Sequence, residues 1–407
     1  MGLSKPLLAR LSGGLLLLLT ALPAPAAVPD PPPVDAGALY MMEARTGRVL
    51  ASRHANRREP PASLAKLMTA LLTFEALGDG RLAMTDRVRI GKDVWRMDGS
   101  QMFLEVGERV PVHELLTGMV VAGANDAARA LAQDIGGSLD TFVDLMNRRA
   151  RRLGMDHTRF ANASGMPAPG MHTTARDMAI LARALRRRFP GYMGVFDRER
   201  ISHNGITQRA DDRLPGADGR ARGLLTGHVA GAGYHLAATA EGEGTELIAV
   251  VLGSPDPRTR LAGMQALLSY GLRSYRTVRP VALGEEVRSV RVWEGQREHV
   301  PVTLASPLWL TVPRHRAPDL AIEDEMDTPV RAPVKTGQTL GWLRVSLDGR
   351  NLAHRPLVAA SPVAAGGWLT YLSDEIRLQW RDFWREQRRS LLADDRQGRA
   401  GGGRPPG

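Results

Sequence analysis

Residues 59–80, EPPASLAKLMTALLTFEALGDG, decide how the rest of the chain is read. Leu64, Leu67, Met68, Leu71 and Leu72 recur at steps of three and four, the period of a helix that stops at Gly78. Apolar positions run most of the way round, which predicts a helix buried on most sides. Ser63 and Lys66 stand three apart in it and share a face, so the amine can reach the hydroxyl. Pro60 and Pro61 start the helix and place Ser63 in its first turn, where backbone N–H groups and the positive helix end favour a developing oxyanion. A lysine among leucines is desolvated, which lowers its pKa and frees its lone pair to act as a base. Ser-x-x-Lys is a common chance pair, and the proline start and apolar helix are what make this one a candidate nucleophile and base.

Before this helix, GALYMMEARTGRVLASRHAN (residues 37–56) predicts two strands joined around Arg45-Thr46-Gly47. After it, helices fit Val112–Val121, Asn125–Ile135, Leu139–Leu153 and Thr174–Arg188. Strands return at Ala232–Ala240 and Glu246–Leu252, and a further helix runs to about Leu272. Strands on both sides of a helical middle predict an α+β domain over residues 27–277, one sheet flanked by helices.

From about Pro280 the texture changes to short strands at close spacing with turn signals, Asp348-Gly349 among them. This predicts a separate small β-sandwich over residues 280–370. Residues 371–392 are expected to form one amphipathic helix, with Leu372, Ile376, Trp380, Phe383 and Trp384 on one face and Arg377, Arg381, Arg385, Arg388 and Arg389 elsewhere. It carries too many charges to span a bilayer and suits the interface of an anionic membrane; the alternative is docking on its own β-domain. Residues 393–407, rich in Gly, Arg and Pro, are expected to be disordered.

Residues 1–26 have the make-up of a secretory signal peptide. Lys5 and Arg10 precede the leucine-rich run Gly13–Leu22, and Ala24-Pro25-Ala26 is a small-x-small cleavage site before Ala27. The run is short for a bilayer span and ends in prolines, against an uncleaved anchor. The 407 residues contain no cysteine, so disulfides, thiolate metal sites and cysteine nucleophiles are excluded. The ten histidines are scattered without metal-ligand spacing, and no metal or cofactor is expected. The net charge of +11 invites a nucleic-acid reading, but export and the lack of an aromatic-interleaved basic patch argue against it.

PASLAKLMTA (61–70), VAGANDAARALAQDIGGSLDTFVDLMNRRARRLGMDHTRFANASGMP (121–167), HTTARDMA (172–179) and LLTGHVAGAGYHLAATAEGEGTELIAVVLG (224–253) together resemble the D-alanyl-D-alanine carboxypeptidase family of low-molecular-mass penicillin-binding proteins. The resemblance runs from about Asp35 to Trp384. It implies a penicillin-binding, β-lactamase-like transpeptidase domain, a β-rich C-terminal domain and a terminal membrane-surface helix. It implies removal of the terminal D-Ala from peptidoglycan pentapeptides by a periplasmic enzyme on the outer face of the cytoplasmic membrane. Peptidoglycan stem peptides and β-lactams are the implied partners. By position, Ser63 matches the nucleophile, Lys66 its general base, and Asn125 the asparagine of Ser-x-Asn. Thr226 and Gly227 match the end of Lys-Thr-Gly, and the N–H groups of Ser63 and His228 match the oxyanion hole. Arg260 matches an arginine that helps to hold the terminal carboxylate.

Two positions depart from the pattern. Gly123 replaces the serine of Ser-x-Asn, a proton shuttle in the family, and Leu225 replaces the lysine of Lys-Thr-Gly, an anchor for the substrate carboxylate. They open a second reading, a catalytically impaired homologue that binds stem peptides or wall-synthesis partners. The literal Lys335-Thr336-Gly337 lies in the β-domain and reads as a solvated turn. A serine β-lactamase is disfavoured by the missing Glu-x-x-Leu-Asn loop and by the C-terminal domain. Ser100 and Ser164, beside glycines, are read as turn residues, and Asp126 as support for its helix.

Overall fold

The strand pair around Arg45-Thr46-Gly47 forms as expected, Ala38–Glu43 against Val49–Arg53, antiparallel. The structure is a computed structural model that describes residues 28–210, 214 and 221–380, and from Pro31 on these form one compact unit. The leucine run and cleavage site at the start of the chain, and residues 381–407, lie outside the described residues.

The hairpin continues into a five-stranded antiparallel sheet in the order Val49–Arg53, Ala38–Glu43, Thr245–Ser254, Gly233–Gly242, Ala221–Val229. All six residues of Ala38–Glu43 are buried, because helices cover both faces of the sheet. Tyr40 and Met42 point into one core with Met178, Leu181 and Leu185 of the helix Ala175–Arg188. Met41, of opposite parity, meets the helix Pro257–Ser274, where a β-carbon on Gly271 would stand 3.0 Å from its methyl carbon.

The helical middle is built around Lys66–Gly78, whose residues are buried from Lys66 to Leu77. Its polar members are satisfied: Thr69 Oγ1 donates to the Ala163 carbonyl at 2.7 Å, Thr73 Oγ1 to the Thr69 carbonyl at 2.8 Å, and Glu75 pairs with Arg149 and Arg188, each at 2.6 Å. Ser63 precedes the α-helix in a 3₁₀ turn, Ala62–Ala65, a correction to its expected place in the first α-turn. The other helices fall within two residues of expectation at each end: Val112–Val121, Asn125–Gly136, Leu139–Arg152 and Ala175–Arg188. Thr174 belongs to the last of these as its cap, accepting the Asp177 N–H at 3.1 Å.

The C-terminal β-rich part is a six-stranded sheet in the order Ala321–Met326, Thr339–Leu347, Arg350–Ala359, His299–Leu304, Arg288–Trp293, Val330–Arg331. Valines and leucines of five of these strands share one core, Val290, Val302, Val330, Leu343 and Leu357 among them. Asp348 and Gly349 take φ of 51° and 73°, the paired positive values of a tight hairpin turn. Threonine hydroxyls join the two parts: Thr311 Oγ1 lies 2.8 Å from Thr46 Oγ1 and 3.0 Å from Thr277 Oγ1. Lys335-Thr336-Gly337 is an exposed turn, as expected.

A helix occupies residues 368–380, starting ahead of the expected 371. It docks by one edge: the Asp374 carboxylate accepts the Glu294 N–H at 2.8 Å, and Leu378 is buried. Trp368, Leu372, Ile376 and Trp380, four apart, are exposed, Trp368 at 75%. Among the described residues no helix is long and apolar enough to cross a membrane.

Candidate active site

The 3₁₀ turn is forced into place from two sides. Ala62, just before Ser63, has φ of 49°, a value that costs a non-glycine residue free energy and persists only where the surroundings impose it. A β-carbon on Gly165 would stand 1.7 Å from the Ala62 carbonyl oxygen, and one on Gly227 would stand 3.0 Å from Ser63 N. Only glycine lets the 162–166 loop and the strand Ala221–Val229 approach so closely. Gly227 and His228 therefore run alongside Ser63, where the oxyanion hole was expected.

Lys66 is completely buried. Its Nζ lies 2.7 Å from Asn125 Oδ1, 2.7 Å from the Ser164 carbonyl oxygen and 3.0 Å from Ser63 Oγ. Asn125 Nδ2 donates to the Asp98 carbonyl at 2.8 Å, which turns Oδ1 toward the lysine. Asn125 Oδ1 and the Ser164 carbonyl can only accept. A neutral amine satisfies them with its two N–H bonds, and its lone pair then faces Ser63 Oγ, which must donate. Burial lowers the Lys66 pKa from 10.5 to about 7, against the opposing field of Asp126. The pair is thus set for proton transfer from serine to lysine without histidine.

Ser63, Asn125, Thr226, Gly227, His228 and Arg260 line one cavity of about 410 Å³ above this pair, together with Gly123 and Leu225. All seven sequence-predicted residues are brought together, Lys66 beneath and six around. Gly123 takes φ of +63°, and Leu225 is buried, paired with Ala237 across a bulge in the strand. Arg260, buried in the helix Pro257–Ser274, lines the same cleft, as does Arg209. The His228 ring stacks on Tyr234 at 4.2 Å. Asp126 supports its surroundings as expected: its carboxylate accepts the N–H groups of Met102 and Ala127 at 3.1 and 2.8 Å.

Residues 25–256 match the family described as D-alanyl-D-alanine carboxypeptidase. The chain belongs to this carboxypeptidase family. Residues 275–365 match the C-terminal domain of penicillin-binding protein 5. The chain is 34% identical over 366 residues to D-alanyl-D-alanine carboxypeptidase DacC of Escherichia coli, covering 87% of this chain and 92% of that one. It is 35% identical over 347 residues to DacF of Bacillus subtilis, covering 83% and 88%. The crystal structure of penicillin-binding protein 5 from Haemophilus influenzae superposes with a TM-score of 0.74 at 30% identity, over 82% of this chain and 99% of that one.

Several residues of this carboxypeptidase-family cleft escaped sequence reading. Ser164, read as a turn residue, contributes its carbonyl to Lys66, and Gly165 its lack of a side chain. The only signal was Ser-Gly in NASGMP, which any turn produces. His235 is buried; its Nδ1 accepts the Gly253 N–H at 2.9 Å, so Nε2 carries the proton and donates to the Pro60 carbonyl at 3.0 Å. Burial holds its pKa below the usual imidazole range, keeping the ring neutral as a clip between the sheet and the entry to the Ser63 turn. Gln208 and Arg209, on the hairpin strand Ile206–Arg209, also line the cleft.

Proposed function

We propose that this family member is a serine-type D-alanyl-D-alanine carboxypeptidase that removes the terminal D-Ala from peptidoglycan pentapeptide stems through a Ser63 acyl-enzyme. The observation that carries the reading is the Lys66 amine, buried, with a pKa of about 7, its two acceptors placed so that its lone pair meets Ser63 Oγ. Lys66 takes the Ser63 proton as Oγ attacks the penultimate carbonyl carbon. The N–H groups of Ser63 and His228 receive the oxyanion, the strand at Thr226 and Gly227 aligns the peptide, and Arg260 holds the terminal carboxylate. The names of the relatives agree with this chemistry. β-Lactams acylate the same serine.

Gly123 and Leu225 favour a second reading, a homologue that binds stem peptides or wall-synthesis partners with little turnover. Losing the Leu225-position cation removes a charge-assisted hydrogen bond worth roughly 1.5–3 kcal/mol, about 10- to 150-fold. Intact-protein mass spectrometry after incubation with a fluorescent penicillin separates the two. A covalent adduct on the native chain that is lost in Ser63→Ala, with D-Ala released from a stem peptide, is the expected result. No adduct at millimolar drug gives first place to the binding reading.

In this proposal residues 1–26 are the export signal, residues 27–277 the peptidase domain and residues 280–370 a pedestal, and the terminal helix holds the enzyme to the outer face of the cytoplasmic membrane. Trp368, Leu372, Ile376 and Trp380 offer it the lipid-facing edge. The chain is expected to co-sediment with vesicles containing anionic lipid, and Trp368→Glu with Trp380→Glu to release most of it. Equal sedimentation of the double variant would remove the anchor from the proposal.

A further inference from the structure

Gly123 deletes a hydroxyl from the cleft, and a neighbouring segment brings another to the same place. A β-carbon built on Gly123 would stand 3.9 Å from the β-carbon of Ser100, in ordinary van der Waals contact. Rotation about the Ser100 Cα–Cβ bond turns its hydroxyl toward the space that a serine side chain at 123 would fill. Ser100 is exposed and lines the catalytic cavity.

The segment is held to the catalytic asparagine by two hydrogen bonds. Asn125 N–H donates to the Ser100 carbonyl at 2.7 Å, and Asn125 Nδ2 donates to the Asp98 carbonyl at 2.8 Å. Between them Gly99 has φ of +81°, and a β-carbon there would lie 2.8 Å from Asn125 Nδ2, so only glycine fits beside the amide. Asn125 Oδ1 in turn lies 2.7 Å from Lys66 Nζ. Ser100 is therefore fixed, through one residue, to the base that must return its proton.

Building on the carboxypeptidase reading, we propose that Ser100 is the catalytic proton relay of this site and replaces the hydroxyl absent at Gly123. In acylation, Ser63 Oγ loses its proton to neutral Lys66 and bonds to the carbonyl carbon. When the tetrahedral intermediate collapses, the C–N bond breaks. The departing amine nitrogen takes the Ser100 hydroxyl proton, and Ser100 Oγ takes one from the Lys66 ammonium. Lys66 ends neutral, Ser63 ends as the ester, and D-Ala leaves as a neutral amine. A β-lactam ring nitrogen needs the same proton, so drug acylation reports the same step.

The test compares fluorescent-penicillin acylation rates of the native chain, Ser100→Ala, Ser100→Thr and Ser100→Ala with Gly123→Ser. Ser100→Ala is expected to be slower by about 10²- to 10⁴-fold, the usual worth of a positioned proton-transfer group. Its pH midpoint should stay near that of the native chain, because the contact to Asn125 uses the Ser100 carbonyl, which alanine keeps. Ser100→Thr should retain most of the rate, and Gly123→Ser should restore part of what Ser100→Ala loses. Ser100→Ala acylating within about threefold of the native chain overturns this inference and leaves the carboxypeptidase reading intact. So does a loss that Ser100→Thr shares in full. A native chain that forms no adduct overturns both.

Discussion

Lys66→Met is expected to slow acylation of Ser63 by on the order of 10⁴-fold while the protein still folds, because in the proposed mechanism the base and the nucleophile act as one unit. Methionine is long, unbranched and apolar, and it fills the buried channel that Lys66 occupies. What disappears is the lone pair directed at Ser63 Oγ. The native enzyme should reveal that lone pair in its pH profile. The group is a base with its pKa lowered to about 7, so it is protonated and inactive below that pH and neutral above it. The acylation rate should therefore rise as pH increases through about 7 and level off about a unit higher. An ordinary lysine, with a pKa near 10.4, would still be charged there and would put the rise more than three units higher. Stopped-flow acylation of native and Lys66→Met protein between pH 5 and 9, beside melting temperatures of both, checks the result. A flat native profile, or a variant within tenfold of native, would remove Lys66 from the chemistry.

Gly165→Ala should damage stability and activity together. The residue has φ of +86°, and its β-carbon would lie 1.7 Å from the Ala62 carbonyl oxygen, against backbone that no rotamer change can move. The conformation alone costs about 1–3 kcal/mol. Relieving the overlap pushes the loop off the 3₁₀ turn and draws the Ser164 carbonyl away from Lys66, and a displacement of about 1 Å in such a site can cost 10²-fold in rate. Gly170→Ala is the control: its φ of +73° carries a similar conformational cost, but nothing stands within 4 Å of the new carbon. Denaturant unfolding should place Gly165→Ala below Gly170→Ala, and only the former should lose acylation by 10²-fold or more. Equal behaviour of the two would show that the close approach of Gly165 to Ala62 has no consequence.

Much of this protein was legible in one dimension. The central helix, the Arg45-Thr46-Gly47 hairpin, the capped helices and the Asp348-Gly349 turn follow from periodicity and turn chemistry, which act over a few residues. Ser63 and Lys66 belong to the same class, since a spacing of three brings them together whatever the rest of the chain does. The resemblance of the longer motifs brought in Asn125, Thr226, Gly227, His228 and Arg260, and the fold places them around one cleft. Only the tertiary structure lowers the Lys66 pKa to about 7 and shapes its surroundings, because the two acceptors come from Asn125 and Ser164, 59 and 98 residues away. The approach of Gly165 to Ala62 and the clip from His235 to Pro60 are equally remote in sequence. So is the meeting of Ser100 with the space left at Gly123. Local patterns record what a residue prefers among its neighbours in the chain; packing decides which distant backbone groups it must satisfy.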